Sequence, residues 1–509
     1  MTISRDLGSS AARGGNQRTD DGRGMVNGVN WPPIPRLKSF HLPNLHLGDV
    51  RHGAGTAGGT ALHRLFVDVL GPEPPVAIRA WDGTRLGPDD PGVTTIHVNS
   101  PDALRRIVTC PGELGFARAY VAGDMDVEGS IFDVLALRQW IPELKVTPRV
   151  WLDALEALGI SNLRPLAPPP EEAHLHGGRH SPERDAAAIA HHYDVSNEFY
   201  EMVLGDAMTY SCGLWVDPPP TGTLEDAQWA KLDLVCQKLA LEPGKRLLDI
   251  GCGWGSMVRH AATRYGVEAV GVTLSHEQAS WARERVEAEG LSDKVEIRVQ
   301  DYRDIHDGPF DAISSIGMFE HVGAARLVEY FNQLFALVKP GGRVLNHAIA
   351  RPPGDRPRLA RRGFADRYVF PDGELHEVGT VISKLQDSGL EVRHEENLRE
   401  HYAYTLREWV KNLEHNWDKA VEDVGLPRAR IWRLYMAGSA LGFEDGRIQI
   451  HQVLATRPNV KELRDLDSMP LRPDWNASPR RGVSRGRVSV GSRESGRDSQ
   501  SGSMPAEGI

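Results

Sequence analysis

Cysteine is scarce in this chain of 509 residues, which has only four, at positions 110, 212, 236 and 252. No two of them form a C-x₂-C pair, and this spacing excludes a zinc ribbon. A disulfide framework is not expected in so long a chain with so few cysteines. The expected compartment is therefore a reducing cytoplasm.

Positive charge and long apolar runs are also lacking. Lysine and arginine total 59 against 69 for aspartate and glutamate, a formal charge of −10, so no nucleic-acid partner is expected. No stretch approaches the roughly 18 consecutive apolar residues that a membrane-spanning helix needs. The segment MTISRDLGSSAARGGNQ lacks the apolar centre of a secretory signal. Any contact with a membrane is therefore expected to be peripheral.

Composition divides the chain into five parts. Two folded blocks are separated by a Pro/Gly-rich linker and flanked by polar ends with little to bury. The C-terminal end is rich in Arg, Ser and Gly, which fits either a solvated tail or a segment that binds membrane or RNA phosphates. The predicted parts are a disordered arm (1–32), a small α+β domain (33–165), the linker (166–184), a larger domain (185–456) and a low-complexity tail (457–509).

The two folded blocks show different patterns. In the first, LHRLFVDVLG predicts a helix, VAIRAWDGTRLG a hairpin turning at Asp82-Gly83, and TTIHVNSPDALRRIVTC a strand and then a helix opened by Ser100-Pro101. In the second, apolar runs alternate with helical patterns, which is typical of βαβ units and predicts an α/β fold.

A glycine turn in the second block predicts a nucleotide-like ligand. The apolar run KRLLDI ends at Asp249 and Ile250, is followed by Gly251, Gly253 and Gly255, and leads into a helical pattern. A strand, a glycine turn and a helix start let such a ligand approach the backbone closely. NAD or flavin binding and a turn chosen only for packing are the alternatives. The spacing lacks the x-x-G of a dinucleotide site, and the preceding acid suits a cationic ligand such as S-adenosylmethionine.

Further polar residues follow the next predicted strands of the second block. Because the carboxyl ends of parallel strands meet at one edge of the sheet, these residues are expected to surround one ligand site. They are Thr273 and Gln278, Asp301 and Tyr302, and Glu320 and His321. His347 is expected on a fifth strand, which begins after a turn made by the glycines of KPGG.

Several motifs, in this order, closely resemble the cyclopropane-fatty-acyl-phospholipid synthase family, which includes the mycolic acid cyclopropane synthases. They are HYDVSNEFY, MTYSCGLW, LLDIGCGWG, GVTLSHEQ, QDYRD, FEHVG, KPGGRVLNHAI, YVFPDGEL and HYAYTLREW. PGELGFARAYVAGDMDVEG resembles the N-terminal domain of that family. The resemblance implies a class I methyltransferase with a Rossmann-like seven-stranded sheet, a smaller α+β N-terminal domain and disordered tails.

The resemblance also implies the site residues. A bicarbonate ion, the general base of the family, would be held by Cys212, Glu320, His347, Tyr402 and the Ile349 backbone. Each side chain also has a structural reading, as a core residue, a helix cap or a wall of the lipid pocket. His191 and His192 have no matching metal-ligand spacing, so no metal is expected.

S-adenosylmethionine is the implied co-substrate. The ligands carried over are Tyr210 and Ser211 at the methionine end, Asp249, Gly251, Gly253 and Gly255 around it, Thr273, Leu274 and Gln278 at the ribose, and Asp301 and Tyr302 at the adenine. The aromatic-rich stretches 351–388 and 402–445 are expected to build an acyl tunnel, although core packing also explains many of their residues. The segment 351–367 is basic, and its arginines would steer anionic head groups. Alternatively, the segment is only a solvated loop.

The predicted activity is methylene transfer to a cis double bond of an unsaturated phospholipid acyl chain, giving a cyclopropane fatty acid. The alternatives are C-methylation of that double bond to a methylene- or methyl-branched chain, methylation of a small-molecule oxygen or nitrogen, and a lipid-binding module with a vestigial cofactor site. The predicted location is the cytoplasm, in peripheral contact with the inner face of the membrane, and a homodimer is possible.

Overall fold

The structure is a computed structural model that describes residues 60–140, 148–159, 164–173, 184, 195–354, 363–459 and 475. Some predictions fall outside these residues. They concern the arm at 1–32, residues 174–183 of the linker, His191 and His192, the arginines within 355–362, and the tail beyond 459 apart from Trp475. The division into five parts stays a prediction.

The first block forms a four-stranded sheet with five helices among its described residues. The strands lie in the order β2-β1-β3-β4, and only β1 and β3 are parallel neighbours. The strands are β1 (Ala77–Ala80), β2 (Arg85–Leu86), β3 (Thr95–Val98) and β4 (Met125–Glu128), and the helices are α1 (Ala61–Leu70), α2 (Pro101–Thr109), α3 (Glu113–Val121), α4 (Ile131–Trp140) and α5 (Pro148–Leu158).

The predicted hairpin and helix starts are present in this block. Gly83 takes a φ of +86° at the turn, a conformation that favours glycine, and Ile78 pairs with Leu86 across the hairpin. Helix α2 begins at Pro101, but the Ser100 hydroxyl binds Asp124 at 3.1 Å and does not cap the helix.

The second block is built on a seven-stranded sheet in the order β10-β11-β9-β8-β5-β6-β7. The neighbouring strands among β5, β6, β7, β8 and β9 all pair in parallel, and β11 runs antiparallel to both of its neighbours, β9 and β10. The strands are β5 (Arg246–Ile250), β6 (Glu268–Thr273), β7 (Val295–Val299), β8 (Phe310–Ile316), β9 (Val338–Ala350), β10 (Glu391–Asn397) and β11 (Gln449–Thr456).

Helices cover both faces of this sheet. Successive residues of β5 point to opposite faces, so Leu247 joins one apolar core and Leu248 the other. The described helices of this block are α6 (Asn197–Leu204), α7 (Leu224–Lys238), α8 (Ser256–Tyr265), α9 (His276–Ala288), α10 (Leu327–Leu337), α11 (Phe364–Tyr368), α12 (Val378–Asp387), α13 (Arg399–His415), α14 (Trp417–Val424) and α15 (Leu426–Glu444).

The predicted glycine turn before His347 is a bulge within a strand. The glycines of KPGG were expected to turn the chain before a fifth strand, but β9 begins earlier, at Val338. Phe310 pairs with Val338 and Ala312 with Arg343, so residues 339–342 bulge out of the ladder with β8. Gly341 takes a φ of +79° there. The glycines therefore form a bulge within the strand, because the ladder resumes on both sides of them.

The two blocks are joined through α15, which lies between β10 and β11 in the chain. Arg430 donates to the Tyr120 carbonyl at 3.2 Å and to Asp126 at 2.7 Å. Arg433 donates to the Tyr120 hydroxyl at 3.2 Å and to the Gly129 carbonyl at 2.8 Å. Within the described ranges, no helix is both long enough and apolar enough to cross a membrane.

Candidate active site

The glycine turn after β5 opens a cavity at the carboxyl edge of the sheet. Gly251 and Gly253 line the cavity, and Gly255 lies behind them as the residue before α8. Gly251 has a φ of +76°, and a Cβ there would lie 3.0 Å from the Met318 Cβ. A side chain at this position would therefore be strained and crowded, which explains why the turn uses glycine.

Two opposite charges lie buried beside this turn. Asp249 accepts a hydrogen bond of 2.6 Å from the Ser314 hydroxyl, and burial raises the pKa of its carboxyl to about 6. Lys231, on α7, donates to the Ser211 hydroxyl at 3.1 Å, and burial lowers the pKa of its ammonium to about 8. Both side chains line the cavity, as does Tyr210. This end of the cavity thus offers one negative and one positive side chain to a ligand that carries both charges.

The site residues that follow β6 and β7 lie on the cavity wall, and several of them already form hydrogen bonds within the protein. The Thr273 hydroxyl donates to the Gln278 amide oxygen at 3.0 Å, and Leu274 lies between them on the wall. The Asp301 carboxylate already accepts hydrogen bonds from the backbone and the guanidinium of Arg303. Tyr302 also lines the cavity. An adenine beside Asp301 would therefore meet an existing ion pair.

Glu320 is partly buried at the point where the cavity reaches β9. One of its carboxylate oxygens accepts a hydrogen bond of 2.7 Å from the Ile349 backbone N–H. The other oxygen is buried and has no hydrogen-bond partner among the described residues. Burial raises the pKa of the Glu320 carboxyl to about 7. The Ile349 N–H, which was expected to bind bicarbonate, therefore donates to Glu320 in the structure.

His347 offers a second buried polar atom on the same wall. Its Nδ1 lies 2.9 Å from the Gln452 amide nitrogen, and its Nε2 has no hydrogen-bond partner in the described part of the chain. Burial, together with the positive charges of Lys231 and Lys238, holds the pKa of the imidazole well below its usual range. His347 is therefore a neutral imidazole that lines the cavity and keeps one nitrogen without a partner among the described residues.

Tyr402 and Cys212 differ in their relation to the cavity. Tyr402 lines it, with its ring 4.7 Å from that of Phe443. Cys212 is not among the lining residues, and its thiol contacts the carbonyls of Gly213 at 3.1 Å and Leu398 at 3.7 Å. Burial raises the pKa of this thiol, so Cys212 stays protonated. The structure therefore brings Glu320, His347, Ile349 and Tyr402 to one cavity, with Cys212 buried in the protein interior.

The cavity, of about 280 Å³, continues from these polar groups into an apolar region. That region is formed by the two stretches that the sequence singled out for an acyl tunnel. Its lining side chains from these stretches are Ala365, Phe370, Leu375, Leu406, Tyr435 and Phe443, and Ile448 adds to them from beyond the second stretch. Within the described ranges, no group of three or more His, Cys, Asp or Glu residues is placed to hold a metal ion.

Sequence reasoning missed Lys231 and Gln452. Both interrupt apolar surfaces, Lys231 among the buried residues of α7 and Gln452 within the buried strand β11. A polar residue on a face that otherwise reads as core needs a buried partner, and this was the available signal. The partners, Ser211 and His347, lie 20 and 105 residues away.

The sequence profile of the mycolic acid cyclopropane synthetase family matches residues 180–453, more than half of the chain. The chain belongs to this family. The probable fatty acid methyltransferase Rv3720 of Mycobacterium tuberculosis is 47% identical over 412 residues, 79% of this chain and 95% of that protein. The cyclopropane-fatty-acyl-phospholipid synthase of Escherichia coli K12 is 33% identical over 372 residues, 72% of this chain and 89% of that protein.

A solved structure of the family supports the fold. Mycolic acid cyclopropane synthase CmaA1, complexed with SAH and CTAB, matches with a TM-score of 0.50 and 31% identity, over 53% of this chain and 98% of that one. This match and the seven-stranded sheet confirm the predicted family and class I methyltransferase fold. The chain is an S-adenosylmethionine-dependent methyltransferase of a lipid-modifying family.

Proposed function

We propose that the protein transfers a methylene group from S-adenosylmethionine to a cis double bond of an unsaturated phospholipid acyl chain and so forms a cyclopropane. The observation that carries this proposal is the pair of unpartnered buried atoms, one on Glu320 and one on His347, on the wall of a cavity that also has an apolar region. An isolated alkene is a weak nucleophile, so catalysis needs close positioning in a dry site and a base for the final proton.

The cofactor is proposed to bind with its amino-acid end beside Asp249 and Lys231. Asp249 would face the ammonium group of the cofactor. Lys231 and Ser211 would face the carboxylate group of the cofactor. The ligand set carried over from the family completes the cofactor site. When bound, S-adenosylmethionine supplies an electrophilic methyl group on a positively charged sulfur.

Glu320 and His347 are proposed to hold bicarbonate. An ionised Glu320 oxygen can only accept a hydrogen bond, and a neutral imidazole N–H can donate one. Bicarbonate has a hydroxyl to donate and oxygens to accept, so it suits this pair of atoms. When bound, bicarbonate supplies the base that removes a proton from the transferred carbon. Tyr402 closes the site from α13, and the role of Cys212 as an ion ligand stays a prediction.

The acyl chain is proposed to lie in the apolar region formed by the stretches 351–388 and 402–445, against side chains such as Leu406 on α13 and Phe443 on α15. An apolar chain placed there displaces water from the methyl donor, and the surrounding side chains bring the double bond next to it. The reaction adds the donor carbon to the alkene, releases S-adenosylhomocysteine, and closes the ring as the proton leaves. The net change is one CH₂.

The test is product analysis with the purified protein, labelled S-adenosylmethionine and vesicles of mono-unsaturated phospholipid. Mass spectrometry should show one added CH₂, and chromatography against standards should identify a cyclopropane. If no labelled lipid forms with any of these vesicles, the proposal is overturned, and a small-molecule acceptor or a lipid-binding role is favoured. Co-sedimentation with the same vesicles tests the predicted peripheral membrane contact.

A second candidate is C-methylation of the same double bond to a methyl- or methylene-branched chain. It is favoured by the 47% identity to a protein named as a probable fatty acid methyltransferase. Both reactions share the methyl transfer, but in the branched route a hydride shift precedes the loss of the proton and leaves a methylene branch. A saturated methyl branch would need a separate hydride donor to reduce that methylene group. A branched product in the same chromatogram would select this candidate and keep the cofactor and acyl sites.

A further inference from the structure

A chain of three buried polar side chains runs from α7 to the cavity. The Lys238 ammonium donates to the Gln452 amide oxygen at 2.7 Å, and the Gln452 amide nitrogen lies 2.9 Å from His347 Nδ1. Lys238, Gln452 and His347 are each fully buried. The opposite ring nitrogen of His347 has no hydrogen-bond partner among the described residues.

The order of donors along this chain follows from the chemistry of lysine. An ammonium has three N–H donors and no acceptor, so it can bind only the oxygen of the Gln452 amide. The amide nitrogen must then face His347, and it donates to Nδ1. A neutral imidazole that accepts at Nδ1 carries its proton on Nε2. The lysine therefore determines which nitrogen of His347 is the donor toward the cavity.

Lys238 is itself held in place from other sides. It forms an ion pair with Glu396 at 2.5 Å, and its ammonium lies 5.6 Å from the centre of the Trp475 ring. Its backbone carbonyl accepts a hydrogen bond of 2.8 Å from Arg343. These contacts come from β10, β9 and the C-terminal segment, so several elements restrict the position of this one cation.

We propose that Lys238 and Gln452 are positioning residues that keep His347 in its Nε2–H form, so that it donates a hydrogen bond to the small anion of the proposed site. This inference rests on the proposed function. In the other tautomer, the lone pair of Nε2 would face the anion and repel it. Neither Lys238 nor Gln452 is among the residues that line the cavity, so each acts through His347.

The direct test is ¹⁵N NMR of the histidine-labelled full chain, because protonated and unprotonated ring nitrogens have well-separated shifts. The His347 signals are assigned by their loss in His347→Gln. We expect a protonated Nε2 in the wild type, and exchange with the Nδ1–H form in Gln452→Met and Lys238→Met. A wild-type Nδ1–H form, or unchanged His347 signals in both variants, would overturn the proposal.

A second measurement links the tautomer to the anion. Turnover is followed against bicarbonate concentration, and bicarbonate binding to the protein is measured by calorimetry. Both variants should need about tenfold more bicarbonate for half-saturation, the effect of losing about one hydrogen bond, with a smaller change in turnover at saturation. A loss of turnover with unchanged bicarbonate dependence would show a structural role only.

The controls separate this inference from the proposed function. Lys245→Met makes the same change at a lysine whose side chain bonds the Ala240 carbonyl and Glu242, away from the cavity, and it should alter neither readout. Wild-type turnover that is independent of bicarbonate would refute the proposed base and the proposed anion contact. The tautomer measurement would still decide whether Lys238 and Gln452 set the proton position.

Discussion

The Glu320 carboxyl group combines an unusual pKa with an incomplete set of hydrogen bonds. Burial raises its pKa to about 7, so the carboxyl is mostly protonated below pH 7 and ionised above it. Only the ionised form offers both oxygens as acceptors, one to the Ile349 N–H and one to a ligand hydroxyl. We therefore expect turnover on lipid vesicles to rise as the pH increases through about 7.

In Glu320→Gln, we expect turnover to fall at least about a hundredfold, and the rise near pH 7 to disappear. The pH profile of lipid product, measured with saturating substrates, checks both effects. Glu391→Gln removes a charge from the exposed edge strand β10 and should keep the wild-type rate and profile. Full activity of Glu320→Gln would contradict the ion-site assignment.

Lys231 should bind the carboxylate of the cofactor only while it is charged. Burial lowers its pKa to about 8, so the cation is present below pH 8 and is lost above it. We expect the affinity for S-adenosylhomocysteine, measured by calorimetry, to fall as the pH rises through 8. In Lys231→Met the affinity should be about tenfold lower below pH 8 and independent of pH in this range. Lys339→Met, at a half-exposed lysine paired with Asp311, is the control.

At the scale of elements, the helices of the stretches 351–388 and 402–445 should control whether an acyl chain can enter the cavity. Ala365 on α11 lines the apolar region of the cavity. In Ala365→Phe the larger side chain would occupy space proposed for the acyl chain, so turnover on lipid should fall at least about tenfold. Binding of S-adenosylhomocysteine should stay unchanged, because the cofactor end of the cavity is not altered. Ala288→Phe, at an exposed position of α9, should change neither measurement.

The order of elements was predictable from the sequence, and the direction of individual side chains was not. Apolar runs such as LLDI mark central strands, and glycines mark the turn after β5, because both are local constraints. Which way Cys212 points depends on the carbonyl of Leu398, which lies 186 residues away. The same holds for Gln452, whose amide orientation depends on Lys238 across 214 residues. Contacts at such separations are created by the tertiary fold and leave no periodic signal.

At the scale of the whole molecule, Arg433 connects the cavity-lining helix α15 to the first block. It is 8% exposed and donates to the Tyr120 hydroxyl and the Gly129 carbonyl, while Glu414 accepts from it at 2.7 Å. In Arg433→Met the buried Tyr120 hydroxyl loses its donor, as do the more exposed Gly129 carbonyl and Glu414 carboxylate, at a cost of about 2 kcal/mol. We expect the thermal midpoint to fall by several degrees, and limited proteolysis to cut more readily between the two blocks.

Arg393→Met is the matched control for this change, because Arg393 forms an exposed ion pair with Glu391 that should contribute well under about 1 kcal/mol.

If α15 transmits the position of the first block to the apolar region of the cavity, Arg433→Met should also lower turnover on lipid at temperatures where the protein is still folded. Binding of S-adenosylhomocysteine should stay intact, since its proposed site lies at the carboxyl edge of the parallel strands and not on α15. A wild-type midpoint and wild-type turnover in Arg433→Met would show that the two blocks are stable and active without this contact.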